Sequence, residues 1–307
     1  MTVPRTTVIV VTWRGRAHIT ACLDGLAGQD RPHWTVVVDN ASDDGTAELL
    51  AVHPSRPEVL RLPDNAGYAG GLAAALPSVR TELVAWLNDD AVPDPGWLAA
   101  LEDALDADPG AAAASARLES PDGVPTSFGV RLTRLGYGAD HLAAGSGEVF
   151  GFCGGAALLR TGALTAAGGV PADFFCYYED TDTAWRLRLA GWTVRSVPDA
   201  RAAHLLGAST RPGSWRFHLW NERNRLLMLL RCAPGRVAVR ELARFAALTA
   251  VLPVRRCAPD RVNFRLGLRL RVLGEVLVRL PAALIQRRRI GRTSTLRRDA
   301  VWRAFAG

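Results

Sequence analysis

Apolar and polar positions follow two different patterns along the first ninety residues. Short, continuously apolar runs rich in β-branched residues are typical of strands covered on both faces. The stretches between them favour helices, and clusters of turn formers such as Asn-Ala-Ser-Asp-Asp-Gly separate the segments. The predicted strands are 6–12, 35–39, 58–62 and 82–87. One predicted helix ends near Gly28, and two others cover 48–52 and 67–79. This alternation predicts βαβ units and a mostly parallel sheet, which is an α/β fold.

The pattern beyond residue 94 is more mixed. It predicts a helix over 94–106, a hairpin and loops over 120–147, an apolar strand over 149–159 and a helix over 182–190. Thr181 or Asp182 is the expected N-cap of that last helix, and Gly191 is the expected stop.

The chain changes character after His204, where long segments rich in Arg and Leu begin. Six leucines recur there at alternating spacings of four and three residues: Leu266, Leu270, Leu273, Leu277, Leu280 and Leu284. This spacing predicts one face of a helix. Strict alternation over 264–272 is also compatible with a strand.

Composition and charge narrow the class of protein. With 307 residues, 49% hydrophobic and 22% charged, the chain has the composition of one large or two modest globular domains. Residues 1–200 hold 14 Arg against 25 acidic residues, whereas residues 201–307 hold 23 Arg against 5. This asymmetry predicts an anionic partner for the C-terminal part, either nucleic acid or membrane head groups, unless the basic face is merely solvated.

Cysteine usage and hydropathy indicate the compartment. The five cysteines are scattered and form no C-x-x-C pair, which argues against a zinc knuckle or a disulfide framework and favours a reducing cytoplasm. The N-terminal apolar run is too short for a signal peptide. No stretch approaches the ~18 apolar residues of a membrane span.

Three segments contain candidate binding or catalytic residues. Asn88-Asp89-Asp90 ends a predicted strand, and α/β sheets bind ligands at such strand ends. Paired carboxylates are suitable ligands for Mg²⁺ or Mn²⁺. The alternative is a surface turn, which often has the same composition. Glu179-Asp180-Thr181-Asp182 follows an aromatic run that would desolvate a general base, with helix capping as the alternative. The glycine-rich segment 65–71 opens a helix but lacks the spacing of a dinucleotide fold or a P-loop.

In their order along the chain, these motifs resemble those of inverting glycosyltransferases of family 2, which have the GT-A fold. The resemblance covers about residues 6–225 and rests on VVVDNASDDGT, NAGYAGG, LNDDAVPDPGWL, the segment from GFCGG to LRLAGW, and His204 before GAST. Within the family, the rhamnosyltransferase-like and galactofuranosyltransferase-like members of cell-envelope synthesis are the most similar.

The resemblance implies a role for each matching residue. Nucleotide or donor binding is implied for Thr12, Asp39, Asn40, Asn65, Gly67, Asn88 and Asp89. Asp90 and His204 are implied as ligands of a divalent cation, Mg or Mn. Asp180 is implied as the catalytic base, with Glu179 beside it. Trp185 and Arg186 are expected to shape the acceptor site. Asn stands at position 88 where the strict motif of the family has Asp, so Asp90 is the firmer metal ligand.

The implied reaction is transfer of L-rhamnose from dTDP-rhamnose to a saccharide or polyprenyl-linked acceptor. A galactofuranosyl or hexosyl transfer from a UDP-sugar is the alternative. We expect a catalytic domain over 1–212 and an Arg-rich helical region over 213–307 that lies on an anionic membrane at the cytoplasmic face. Nucleic-acid binding is not expected, because the basic region lacks interleaved aromatic residues. A catalytically silent scaffold would have no chemical reason to keep Asp90, Asp180 and His204 together.

Overall fold

A computed structural model describes residues 3–145, 147–205, 213–254 and 261–307. The strands are β1 (Thr6–Thr12), β2 (His33–Asp39), β3 (Glu58–Arg61), β4 (Leu83–Asn88), β5 (Ala91–Pro93), β6 (Ala111–Glu119), β7 (Pro125–Ser127), β8 (Val130–Leu132), β9 (Gly138–Asp140), β10 (Gly147–Glu148), β11 (Ala156–Arg160) and β12 (Thr193–His204). The helices are α1 (Ile19–Ala27), α2 (Thr46–Val52), α3 (Gly67–Ala75), α4 (Trp97–Ala107), α5 (Thr161–Ala166), α6 (Glu179–Leu189), α7 (Trp215–Cys232), α8 (Gly235–Val251), α9 (Leu266–Thr293) and α10 (Arg298–Phe305).

One large mixed sheet forms the centre of the molecule. Its main path runs β10-β12-β6-β11-β4-β1-β2-β3, and the four strands at the β3 end are parallel, as the sequence predicts. Thr12 is paired with Asp39, and Val11 lies opposite both Val38 and Asn88. The carboxyl ends of β1, β2 and β4 therefore meet at one edge of the sheet.

Apolar residues from both faces of the sheet form the core. One buried cluster joins the sheet to α1 and α4, and a second lies on the opposite face around Trp86. A third cluster connects α6 with the C-terminal helices, through residues such as Trp185, Leu229 and Val272. Residues 213–307 therefore share a core with the catalytic part. Whether they form a separate domain beyond residue 212 stays a prediction.

Several elements differ from those expected. The strands β6 and β12 were not predicted, and of the expected strand over 149–159 only residues 156–159 are β-strand, within Ala156–Arg160. The N-cap expectation for α6 is wrong: the helix begins at Glu179 with Tyr178 as its cap residue, because Tyr178 takes the left-handed conformation. The leucine spacing is confirmed as the helix α9, so a strand over 264–272 is excluded. In the described part of the chain, no helix is long and apolar enough to span a bilayer.

Candidate active site

A cavity of about 880 Å³ opens at the carboxyl ends of the parallel strands. It collects most of the residues that the resemblance implicates, although they are far apart in sequence. The predicted residues that line it are Thr12, Asn40, Asn65, Gly67, Asn88, Asp89, Asp90, Glu179, Asp180 and His204. This wall combines the ends of β1, β2, β4 and β12 with the first turns of α3 and α6.

Asp89 is held in place on the strand side of the cavity. The hydroxyl of Thr12 donates to its Oδ2 at 2.6 Å, and Nε2 of His18 lies 3.1 Å from the same oxygen. The hydrogen bond to Asp89 raises the pKa of His18 despite partial burial. Sequence reasoning missed His18, since it lies in the loop before α1 and nothing in its local pattern marks it.

Asp90 and His204 form a buried oxygen–nitrogen pair. Nε2 of His204 lies 3.0 Å from Oδ1 of Asp90 and 3.0 Å from the amide nitrogen of Asn88. Burial alone would raise the pKa of Asp90, but the hydrogen bond from His204 and the charges of His204 and His18 hold it below its usual range. An ionised carboxylate beside an imidazole nitrogen is a suitable donor set for a divalent cation.

The two side chains do not enclose a cation by themselves. The described residues contain no group of three or more His, Cys, Asp or Glu side chains arranged to hold a metal. A cation bound by Asp90 and His204 would take its remaining ligands from water and from donor phosphate, which is the usual way that Mg²⁺ is bound at phosphate sites.

Asp180 faces the same cavity from the start of α6. Its Oδ2 accepts from the backbone N–H of Gly154 at 3.0 Å, and its Oδ1 accepts from the hydroxyl of Thr181 at 2.9 Å. Burial raises the pKa of Asp180, although these donors partly oppose the shift. A fixed carboxylate with a raised pKa has the properties of a general base.

Glu179 is the more deeply buried of the pair. Burial and the neighbouring charge of Asp180 raise its pKa to about 8, and its Oε2 has no hydrogen-bond partner among the described residues. Glu179 is therefore mostly protonated at neutral pH, whereas Asp180 has donors on both oxygens. The two adjacent acids are in chemically different states.

The Glu179 carboxyl should make stability depend on pH. Its folded-state pKa is above the ordinary value of 4.5, so its contribution is fully present below about 4.5 and is lost as pH rises towards 8. Glu179→Gln should flatten the fall in unfolding free energy over this window by at most about 1.4 kcal/mol per pH unit. Denaturant titrations across the window measure it. Glu82→Gln, at an exposed glutamate, is the matched control, and equal slopes in wild type and Glu179→Gln would contradict the expectation.

The backbone that carries Asp180 to the cavity is strained. Phe175, Tyr177 and Tyr178 all have positive φ, between 65° and 70°. The N–H of Cys176 donates to the carbonyl of Phe174 at 2.8 Å, and Phe175 between them has φ 65° and ψ −63°, the strained form of γ-turn. Such conformations cost on the order of 1–3 kcal/mol each and persist only when the surroundings impose them.

Asn224 on α7 supplies much of that constraint. Its buried amide nitrogen donates to the carbonyls of Phe174, Cys176 and Tyr177 at 2.8–2.9 Å. The neighbouring Arg223 also donates to the carbonyl of Phe174, at 2.7 Å. The polar segment 221–225 therefore positions the turn that precedes the candidate base.

The glycine-rich segment closes against this turn. Gly67 has φ +74°, and a Cβ there would lie 2.2 Å from the carbonyl oxygen of Phe175, so only glycine fits. The amides of Asn40 and Asn65 hold the segment: Asn40 donates to the carbonyl of Gly67 at 3.1 Å, and Asn65 accepts from its N–H at 2.8 Å.

Three of the predicted site residues do not line the cavity. Asp39 lies behind it, fully buried, where one oxygen is paired with Arg61 and the other accepts from the N–H of Ser42 at 2.9 Å. In this structure Asp39 supports the β2–α2 turn, and its contact with the nucleotide stays a prediction.

The acceptor-site assignment of Trp185 and Arg186 requires correction. Trp185 is fully buried between Phe150 and Trp302, with ring centroids 5.7 and 5.9 Å away. Arg186 is buried in an ion pair with Asp182 at 2.7 Å and donates to two backbone carbonyls. Both side chains lie in the second turn of α6, where the helix is buried on all sides, whereas Glu179 and Asp180 lie in the first turn, which reaches the cavity.

A structural role for Arg186 predicts a loss of stability. Arg186→Met would remove the closest partner of fully buried Asp182 and should lower the free energy of unfolding by about 3 kcal/mol, with KM for the acceptor unchanged. Arg195→Met, at a more exposed pair, should cost at most about 1 kcal/mol. Chemical denaturation measures both. A raised acceptor KM at full stability would restore the original assignment.

Sequence reasoning missed one wall of the cavity. It consists of Arg216, Phe217 and Trp220 on the first turns of α7, which face Phe175 and Tyr177. The rings of Phe175 and Trp220 are 4.6 Å apart, and those of Tyr177 and Phe217 are 5.2 Å apart. The aromatic run 174–178 was noted in the sequence, but no local pattern connects it with α7.

Comparisons with known proteins match this arrangement. The sequence profile of Glycosyl transferase family 2 matches residues 7–166, which is more than half of the chain. The chain belongs to glycosyl transferase family 2. It is a glycosyltransferase, and its mixed sheet with flanking helices is the GT-A fold.

A curated relative indicates the branch within the family. The chain is 29% identical over 237 residues to the N-acetylglucosaminyl-diphospho-decaprenol L-rhamnosyltransferase of Mycobacterium tuberculosis, a match that spans 66% of this chain and 76% of the relative. This family 2 glycosyltransferase is therefore rhamnosyltransferase-like in sequence.

Solved structures show the same fold at lower identity. The mannosyltransferase PcManGT of Pyrobaculum calidifontis, in complex with GDP-Man and Mn²⁺, is 22% identical with a TM-score of 0.53, over 99% of this chain and 80% of that one. TarS 1-349 of S. aureus in complex with UDP-GlcNAc is 17% identical with a TM-score of 0.58, over 94% and 91%.

Proposed function

We propose that this family 2 glycosyltransferase transfers L-rhamnose from dTDP-rhamnose, with inversion, to a lipid-linked saccharide during cell-envelope polysaccharide synthesis. The observation that carries the reaction type is the single cavity that joins the Asp90–His204 pair to the fixed carboxylate of Asp180. The rhamnosyl donor and the polyprenyl-linked acceptor are suggested by the rhamnosyltransferase relative. A UDP-linked galactofuranose or hexose is the alternative donor.

The charge of the cavity favours a divalent cation as cofactor. Five acidic side chains line it, namely Asp89, Asp90, Asp140, Asp180 and the mostly protonated Glu179, while Arg216 is the arginine among its lining residues. A nucleotide diphosphate would meet repulsion from this wall unless a cation lay between them. When bound, Mg²⁺ or Mn²⁺ would neutralise the charge that develops on the leaving diphosphate.

Other residues of the cavity would bind the donor and accept the proton of the acceptor. Thr12 and His18 fix Asp89, which would contact the donor, and Asn40 and Asn65 hold the glycine segment that closes over the nucleotide. Asp180 would take the proton of the acceptor hydroxyl as that hydroxyl attacks the anomeric carbon opposite the diphosphate.

The acceptor site belongs to the aromatic wall in this proposal. Phe217 and Trp220 face the cavity from α7, and Phe175 and Tyr177 carry the wall to within two residues of Glu179. Aromatic faces offer apolar contact area to the C–H faces of a sugar ring, while Arg216 beside them could pair with an anionic group of the acceptor.

Donor binding with and without metal tests the proposal. Thermal unfolding is measured with dTDP-rhamnose, UDP-galactofuranose and UDP-hexoses, each with Mn²⁺ or with a chelator. A donor at about 100 times its Kd adds about 2.7 kcal/mol, which raises Tm by several degrees. We expect a metal-dependent shift with dTDP-rhamnose, and conversion of a GlcNAc-diphospholipid acceptor to its rhamnosylated product would establish the reaction.

Asp90→Asn should abolish the metal-dependent part of the donor shift. The amide keeps the shape of the side chain but loses the charge that favours a cation beside His204. We expect donor affinity to fall about tenfold or more at a temperature where the variant is fully folded, because loss of the buried pair with His204 also lowers the unfolding midpoint of the free protein. Asp122→Asn, at an exposed loop aspartate, is the matched control. A metal-dependent shift of wild-type size in Asp90→Asn would contradict the assignment.

A further inference from the structure

The outward face of α9 is apolar over most of its length. From 266 to 285 the exposed side chains are almost all uncharged, and Leu277 and Val278 are 62% and 79% exposed. The exposed positions of this stretch are Leu266, Gly267, Leu270, Arg271, Gly274, Leu277, Val278, Pro281, Ala282, Leu284 and Ile285. At 100° per residue they lie on one side of the helix and extend for about 30 Å. We call these residues the α9 outer face.

The same side becomes strongly basic in the last turns of the helix. Arg288, Arg289 and Arg292 are exposed there. The single acidic residue of α9, Glu275, is half-buried in ion pairs with Arg223, Arg271 and Arg279. The outer face therefore joins a long apolar stripe to a cationic end and presents no exposed carboxylate.

Packing inside the molecule does not require the outer face. The opposite side of α9 already packs into the shared core through Leu268, Val272, Val276, Ala283 and Ile290. A helix that buries one side in the core normally has polar residues on its solvent side, and α9 does not over 266–285. The exposed leucines of the outer face thus need a reason other than folding.

We propose that the α9 outer face docks on an anionic lipid bilayer. Its leucines, valine and isoleucine would enter the head-group boundary, and Arg288, Arg289 and Arg292 would pair with lipid phosphates. A second copy of the chain fits less well, because the same face on the partner would offer no exposed carboxylate to pair with the arginines. The inference rests on the proposed function only in that a lipid-linked acceptor would lie in the same bilayer.

Vesicle sedimentation tests the docking surface directly. The full chain is mixed at low salt with phosphatidylcholine vesicles or with vesicles of equal parts phosphatidylcholine and phosphatidylglycerol. We expect binding to the anionic vesicles that weakens as salt is added. Leu277→Asp combined with Val278→Asp should weaken it at least about tenfold, since exposed positions can change without harm to the core. Val52→Asp, at an exposed valine of α2, is the control.

A second pair of variants tests the basic end. Arg288→Ala combined with Arg289→Ala should weaken binding about 30-fold, at roughly 1 kcal/mol for each arginine. Arg131→Ala combined with Arg201→Ala removes the same charge from exposed positions elsewhere and should change binding much less. Wild-type protein that ignores anionic vesicles, or outer-face variants that bind as well as their controls, would overturn the inference.

Two further measurements distinguish a failure of the docking inference from a failure of the proposed function. Sedimentation velocity reports whether Leu277→Asp combined with Val278→Asp converts a dimer to a monomer. If these changes produced a monomer and left vesicle binding unchanged, the α9 outer face would be an interface with a second copy, and the inference would be overturned. Transfer to a soluble saccharide acceptor should be equal in wild type and outer-face variants. Vesicle binding without transfer of any tested sugar would refute the proposed function and leave the docking surface standing.

Discussion

Asp180→Asn is expected to lower kcat by about 10²–10⁴-fold and to leave the Kd of the nucleotide-sugar donor unchanged. Asp180 is the carboxylate that the structure fixes in the cavity, through the N–H of Gly154 and the hydroxyl of Thr181. An amide cannot take a proton from the acceptor hydroxyl. Single-turnover kinetics and donor titration, each on protein whose unfolding midpoint has been checked, separate chemistry from binding.

Glu179→Gln should lower kcat much less than Asp180→Asn does. Burial keeps the Glu179 carboxyl mostly protonated at neutral pH, so a neutral amide resembles its working state. We expect kcat to remain within about tenfold of wild type, because no proton transfer to Glu179 is required. If Glu179→Gln lost more activity than Asp180→Asn, the two acids would have to exchange roles.

The nucleotide side of the site could be predicted from the sequence because its signals are local. Continuously apolar runs predicted β1, β2 and β4, and parallel strands bring their carboxyl ends to one edge. The polar residues that follow them had to meet there, as Thr12, Asn40 and Asp90 do. The direction of each side chain was not predictable, and Asp39 turns away from the cavity to pair with Arg61.

Tertiary contacts, which the sequence does not display, determine the features that sequence reasoning missed. β6 begins with four alanines, which carry no β-branched signal, and it forms a strand because β11 and β12 pair with it on either side. Trp185 and Arg186 follow the candidate base closely in sequence, but the helix turns them into the core. The aromatic wall joins residues 175–177 to 216–220, a contact that only the folded chain creates.

Asn224 is the residue outside the cavity whose replacement should have the largest effect. Asn224→Leu would remove the amide that donates to the carbonyls of Phe174, Cys176 and Tyr177. The carbonyl of Phe174 keeps its bonds from Cys176 and Arg223, so the loss falls mainly on the carbonyls of Cys176 and Tyr177. At about 1–1.5 kcal/mol for each of these two hydrogen bonds, we expect the free energy of unfolding to fall by about 2–3 kcal/mol. The left-handed residues of the turn would also relax and displace Asp180.

A displaced base predicts a particular kinetic signature. A shift of about 1 Å can cost about 10²-fold in rate, so kcat should fall by that order. KM for the donor should change less, since Thr12, Asp89 and Asp90, the proposed donor and metal contacts, lie at or just after the ends of β1 and β4. Asn224→Gln keeps the amide and should recover part of the loss. Asn221→Leu is the matched control on the same helix, because the amide of Asn221 donates within α7, to the carbonyl of Phe217.

The two readouts separate positioning from mere stability. At a temperature where Asn224→Leu is fully folded, a purely structural role would leave kcat per folded molecule at the wild-type value. The positioning role requires that kcat fall even there, because three non-glycine residues with positive φ need the Asn224 amide to hold the turn that leads to Asp180. Wild-type kcat in folded Asn224→Leu would show that Arg223 and the glycine segment suffice to hold the turn.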